Sequence, residues 1–199
     1  FSDWSSDVCS SDLIQVCLNG YSFKVSDGLA ARESGWLGAD SVFTAPELQR
    51  RYPRVEVSLL TPKVALVPSS FFDESSMRQC LADTVILDEG DEVCHIAVPE
   101  FAAELVYSPT IGEMLSRTIS RAVLDEDGNA PEVLPEMYYI LKDLLNVEEY
   151  NRIVASYAAG YLHLGISQGR NLLLANVFRA ADFTTAEYFL FLADRKSVV

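Results

Sequence analysis

The chain has 199 residues, 49% of them hydrophobic, and sets 29 acidic residues against 15 basic ones for a formal charge of −14. That apolar content supports a sizeable core, and a field of that sign repels phosphate backbones and anionic lipid, so no nucleic-acid partner is expected and a membrane surface is a poor candidate. No run of about 18 apolar residues marks a membrane-spanning helix, and no basic stretch followed by an apolar one marks a signal peptide; the expected location is cytoplasmic, without membrane insertion.

FSDWSSDVCSSDL, residues 1–13, holds five serines and three aspartates, a composition suited to a tail or a cap and resistant to burial. It resembles translated sequencing-adapter read-through, as does DRKSVV at 194–199. Both are set aside from fold reasoning, and the native chain is expected to continue past Ala193. Residues 14–25, IQVCLNGYSFKV, alternate around Asn19-Gly20, the dipeptide that best accepts the positive φ angles of a type I′ turn, so two strands are predicted. SDGLAARESGWLGADS reads as a loop. Thr44 and Glu47 flank a proline as a capping box for a helix near 45–52.

RVEVSLL and KVALVP read as strands, and a helix is predicted from Ser70 to Ala82. VCHIAVP, 93–99, is a continuous apolar run expected of a strand buried on both faces. Thr110 and Glu113 open a helix with Ile111, Met114, Leu115, Thr118, Ile119 and Ala122 on one side; DEDGNAP is a polar loop; LPEMYYILKDLL is a second amphipathic helix. NRIVASYA, YLHLGIS and NLLLANVFR then form a three-stranded meander turning at Ala-Gly160 and Gln-Gly169. A last helix begins in DFTTAEYFLFLA, with Thr184 and Glu187 as its capping box.

Few patterns point to chemistry. Gly165-Ile-Ser167-Gln-Gly169 matches a nucleophile elbow, but a strand follows where a helix is required and no histidine follows Ser167, so the glycines read as shaping a hairpin. Asp125, Asp127, Asn129 and Glu136 fit positions of a calcium loop whose sixth position is Ala130 instead of glycine, and a solvated acidic loop is the better reading. The acids at 88–92 read as a charged turn. His95 and His163 each lie in an apolar strand with no second ligand at metal spacing, and are expected to be core or edge residues with one satisfied nitrogen. Cys9, Cys17, Cys80 and Cys94 show no paired spacing and are expected to be reduced, buried thiols. No P-loop or Rossmann glycine pattern occurs. No metal site and no catalytic residue is assigned.

LNGYSFKV and AAGYLHLGI are both hairpins turning near Gly-Tyr, a weak repeat that would relate the two halves of the chain. IQVCLNGYSFKV, VEVSLLTPKVALVPSSFFDE, VCHIAVPE and NLLLANVFRAADFTTAEYFLFL resemble the bacterial domain-of-unknown-function family 3822. That resemblance implies a duplicated fold of the actin, Hsp70 and sugar-kinase type: α/β, with mixed ribonuclease-H-like sheets in two related halves, the second truncated. The expected divisions are 14–108 for the first half, 109–150 for a helical segment and 151–193 for the start of the second.

In nucleotide-binding members of that superfamily, the hairpin opening each half bears an acid that organises Mg²⁺ and glycines that cradle phosphate. The matching positions are Asn19, Gly20 and Gly160, which makes them the candidate cofactor-binding residues, and none supplies a carboxylate. The reading is therefore a non-catalytic actin-like scaffold or interaction protein with a protein partner and no cofactor beyond a degenerate nucleotide site. The alternative is an active ATPase or phosphotransferase whose acidic and adenosine-binding residues lie elsewhere or past the end of the chain.

Overall fold

A computed structural model describes residues 11–17, 20–26 and 30–197. Its strands are β1 (Ser11–Cys17), β2 (Gly20–Ser26), β3 (Ala31–Glu33), β4 (Leu37–Gly38), β5 (Arg54–Leu59), β6 (Val64–Pro68), β7 (Cys94–Val98), β8 (Ala103–Tyr107), β9 (Val133–Pro135), β10 (Asn151–Ala158), β11 (Tyr161–Gln168) and β12 (Asn171–Arg179). The α-helices are α1 (Met77–Ala82), α2 (Glu113–Ala122), α3 (Glu136–Asn146) and α4 (Phe183–Ser197). Two compact units share them: residues 11–60 with 110–135, and 61–109 with 136–197.

The first unit is built on a mixed sheet in the order β3-β2-β1-β5-β9, with β4 also on β2. β1 and β2 are antiparallel, while β5 runs parallel to β1 and β9 parallel to β5. Ile14, Val16, Tyr21, Phe23 and Val57 point to one face, where Leu115, Ile119 and Val123 from α2 and its exit meet Val42 and Leu48. Each such side chain contributes on the order of 1.5–3 kcal/mol by leaving water. α2 reads EMLSRTISRA; Leu115 and Ile119 are one turn apart, and Glu113 pairs with Arg117 across the solvent side.

The second unit has two three-stranded antiparallel sheets, β6-β8-β7 and β10-β11-β12. α3 packs on both. Its Met137, Ile140, Leu141 and Leu144 join Val64, Val98, Leu105 and Tyr107 with Val154 of β10, and Leu172, Ala175 and Val177 of β12 lean on the same cluster. A helix with apolar residues on more than one side is the sequence form that such a position demands. α4 covers the other face of the meander through Ala186, Phe189 and Leu190 against Leu162, Leu164 and Ile166. α1 sends Leu81 between Ala65 and Val106. Among the described residues, no helix is long and apolar enough to cross a membrane.

Several local expectations change. β7 is an edge strand with alternating burial, His95 and Ala97 being exposed, because α3 covers one face of its sheet and the six-residue α1 covers only part of the other. The segment near 45–52 is a 3₁₀ turn over Pro46–Gln49 with no side-chain cap, and Thr44 Oγ1 donates to Ser41 O instead. The predicted loop after β2 contains β3 and β4. The helix expected from Ser70 starts as a 3₁₀ turn at Glu74, under an Asp73 cap. α4 begins at Phe183, where Asp182 Oδ1 accepts from Thr185 N at 2.7 Å, so the aspartate and not Thr184 is the cap.

Candidate functional site

The two hairpins differ in how their glycines are used. Asn19 lies outside the described residues. Gly20 is a paired strand residue, opposite Cys17 on β1 and Gly38 on β4, and not the second residue of a two-residue turn. A Cβ added there would overlap the Leu37 carbonyl oxygen and fall 2.8 Å from Trp36 Nε1. The space that glycine leaves open is thus filled by the chain's own return segment. Ser34 holds that segment in place: its N–H donates to Phe23 O and its Oγ accepts from Phe23 N, both at 3.0 Å. Tyr21 Oη and Ser41 Oγ, 3.0 Å apart, add a further tie.

At the second hairpin Ala158 pairs with Tyr161, and the two residues between, Ala159 at φ 51° and Gly160 at φ 79°, are both left-handed. That is the backbone of a type I′ turn. The Gly160 carbonyl accepts from Ala180 N at 2.9 Å, and Tyr157 Oη donates to Ala180 O at 3.2 Å, so the turn is tied to the start of the α4 segment. Ala159 and Gly160 bring no charge. The nearby acid, Asp182, is occupied by the Thr185 backbone N–H, which holds its carboxyl below the usual range.

The acidic stretches are held by neighbouring donors. Lys63 Nζ reaches Asp88 Oδ2 at 2.9 Å and Asp91 Oδ2 at 2.6 Å, while Arg78 donates to the carbonyls of Asp88 and Asp91. Asp125 accepts from Asn129 N at 2.7 Å and from Asn129 Nδ2 at 3.2 Å, which closes the loop that resembled a calcium site. Among the described residues, no three His, Cys, Asp or Glu side chains gather as a metal site would need. Cys17, Cys80 and Cys94 are thiols; Cys17 is buried as expected, whereas Cys80 and Cys94 are only half-buried, and Cys9 lies outside the described residues.

His95 matches its expectation, with Nδ1 3.0 Å from Glu104 Oε2 and its ring against Phe72. His163 does not. It is fully buried in β11, and neither ring nitrogen has a partner within hydrogen-bond geometry, although the Thr61 backbone and the Glu136 carboxylate face it. Burial pushes its imidazole below the ordinary value, against the pull of Glu136. Ser167 lies on the same strand, fully buried, with β12 after it, so the elbow geometry is absent. Gly165 faces α3, where a Cβ would come within 2.7 Å of Ile140 Cγ2. What sequence reasoning missed is the return of Trp36-Leu37 onto Gly20; two large apolar residues inside a Gly- and Ser-rich stretch were the available signal.

The proteins of unknown function grouped as DUF3822 match residues 13–194. Among solved structures, the chain is similar to a Bacteroides thetaiotaomicron protein described as having an actin-like ATPase fold and unknown function, at 12% identity and a TM-score of 0.64, over 98% of this chain and 80% of that one. It is also similar to a chain of the PilM–PilN type IV pilus biogenesis complex, at 12% identity and a TM-score of 0.50, over 97% of this chain and 67% of that one. No curated protein matches. By that family match and that fold, the chain belongs to the DUF3822 family and is a mixed α/β protein of the actin-like type.

Proposed function

We propose that the protein is a non-catalytic actin-like scaffold that works in the bacterial cytoplasm by binding another protein. The observation that carries this reading is the closure of Gly20. In a phosphate-cradling hairpin, glycine lets the ligand approach the backbone. Here the Leu37 carbonyl and the Trp36 indole take that position, and a carbonyl oxygen there presents negative partial charge where a phosphate would need donors. The second turn, Ala159-Gly160, offers no carboxylate with which to organise Mg²⁺ or activate water. The likeness to a chain of a pilus biogenesis complex supports a protein partner, since that protein is found in an assembly.

The test is Mg²⁺-dependent ATP hydrolysis by the intact chain, with a fluorescent ATP analogue as a parallel binding probe. The expected result is no turnover above buffer. Turnover that disappears with EDTA would overturn the scaffold reading in favour of an ATPase or phosphotransferase drawing its acids from other segments. Binding without turnover would leave the scaffold reading standing with a degenerate nucleotide site.

A further inference from the structure

The outer strand of a sheet pairs with whatever extended chain reaches it, unless a charge, a proline or its own shortness prevents this. Among the described residues, the edge strands β3, β10 and β12 carry Arg32, Arg152 and Arg179, β6 and β9 end in Pro68 and Pro135, and β4 is a single pair, Leu37–Gly38. β7 is the exception. It reads Cys94-His95-Ile96-Ala97-Val98, without lysine, arginine, carboxylate or proline, and keeps an unbroken register with β8. On its outer side it meets no further strand among the described residues.

The face beside that edge is apolar and incompletely covered. His95 and Ala97 are exposed on it, with the Phe72 ring 4.7 Å from the imidazole. Phe72, Val85, Leu87 and Val93 lean on Ala65, Leu81 and Val106, and their sequence neighbours Phe71 and Ile86 are 80% and 88% exposed. Around β7 acids outnumber cations. Asp88, Glu89, Asp91 and Glu92 precede it and Glu100 and Glu104 follow, against Lys63 and Arg78 in the 88–92 turn and Lys142 on Glu100. A second copy paired antiparallel about Ile96 would set its Glu100 against Glu92, and like charges opposed across strands are destabilising. The edge is complementary to a segment of opposite charge.

We propose that β7 is the docking edge for a protein partner, which adds an extended segment of alternating apolar residues with a lysine or arginine at each end. Main-chain hydrogen bonds hold the added strand, its apolar side chains on one face extend the surface of Phe72, His95 and Ala97, and its basic ends meet the 88–92 turn and Glu100. A docking edge rests on the scaffold role proposed for the chain, and gives its partner a place and a chemistry.

The probe is a fluorescein-labelled peptide, Lys-Val-Thr-Val-Thr-Val-Lys, titrated into the full chain by anisotropy and located by residue-resolved amide hydrogen exchange. The expected result is saturable binding that weakens with salt and slows exchange in 94–98 but not in β10 or β12. Ala97→Lys, at an exposed position, should lower the affinity by about tenfold without changing the melting temperature. Glu89→Lys, in the exposed turn before the strand, should lower it by about threefold; if Ala97→Lys does not fold, an unchanged affinity in Glu89→Lys overturns the docking edge. So would equal binding by wild type and Ala97→Lys, equal binding of the peptide with glutamate for lysine, protection at another strand, or no saturable binding. A dimer in sedimentation that Ala97→Lys dissolves would assign the edge to a second copy instead. The scaffold role falls on a different result, Mg²⁺-dependent ATP turnover, so the two failures are told apart.

Discussion

Gly165 lies directly against Ile140: a Cβ at 165 would sit 2.7 Å from Ile140 Cγ2 and 2.9 Å from Leu144 Cδ1. β11 and α3 therefore touch backbone to side chain at a point where even one methyl group does not fit. Ile140 and Leu144 are buried on every other side as well, so neither has room to move away. Gly165→Ala is expected to destabilise by about 1–3 kcal/mol, the usual cost of overpacking a filled core, and Gly165→Val by more. Urea denaturation should show a lower midpoint with an unchanged slope. A neutral or stabilising Gly165→Ala would show that the helix rides farther from the sheet than described.

That same glycine shows which parts of the fold could be read beforehand. The meander β10-β11-β12 was legible because its signals are local: alternating apolar residues, then Ala-Gly and Gln-Gly at the turns. α2 and α3 were legible for the same reason, their apolar residues recurring at helical spacing. The reason for Gly165 was not, since it lies in α3, some twenty residues away, and the sequence pattern offered a nucleophile elbow or a hairpin in its place. The parallel pairings of β5 with β1 and of β9 with β5 likewise depend on partners distant in sequence. At the candidate site, the missing carboxylates were visible in the residue types alone; that Trp36 and Leu37 return onto Gly20 was not, because nothing in GWLG specifies its partner strand.

Ala159 occupies the left-handed region at φ 51°, which an L-residue with a Cβ enters at a cost of about 1–2 kcal/mol. Glycine there removes that strain but adds backbone entropy to the unfolded chain, a loss of roughly 0.5–1 kcal/mol. The balance favours Ala159→Gly by up to about 1.5 kcal/mol. Ala159→Asn should also gain, because Asn-Gly is the preferred pair for this turn. Thermal melts of the two variants check this: both should melt above wild type. A lower melting temperature for Ala159→Gly would mean that the turn relaxes out of the left-handed region.

Gly20 separates a structural role from a ligand-binding one. If its missing side chain serves the return of β4, Gly20→Ala must push the Leu37 carbonyl off the strand, with a loss of about 1–3 kcal/mol. The indole of Trp36, 2.8 Å from the added carbon, should also register the change. Intrinsic fluorescence should shift toward the red as Trp36 moves into water, in step with a lower denaturation midpoint. If the glycine served only a ligand, the free chain would be as stable with alanine, and the fluorescence of Trp36 would not move.

Lys63 and Asp91 predict how the second unit responds to acid. Asp91 is nearly buried, and burial alone would raise its carboxyl; the Lys63 ammonium at 2.6 Å and the Asp88 N–H at 2.8 Å outweigh it and hold the carboxyl below the usual value. A carboxylate depressed in the folded state stabilises above its unfolded pKa of about 3.9, and the contribution is lost as pH falls through the folded value. Wild type should therefore lose stability on acidification from about pH 4.5 downward. In Asp91→Asn this part of the loss should be absent and stability at pH 7 lower. Lys63→Met should cost about 1.5–3 kcal/mol at pH 7, the range of a charge-assisted hydrogen bond whose partner is left buried, and less in acid, because without the ammonium beside it Asp91 takes up a proton more readily than in wild type. Denaturation midpoints for the three chains at pH 7 and pH 3 measure the difference. A Lys63→Met penalty that stays the same at both values would mean that packing of the lysine stem, and not its charge, holds the 88–92 turn.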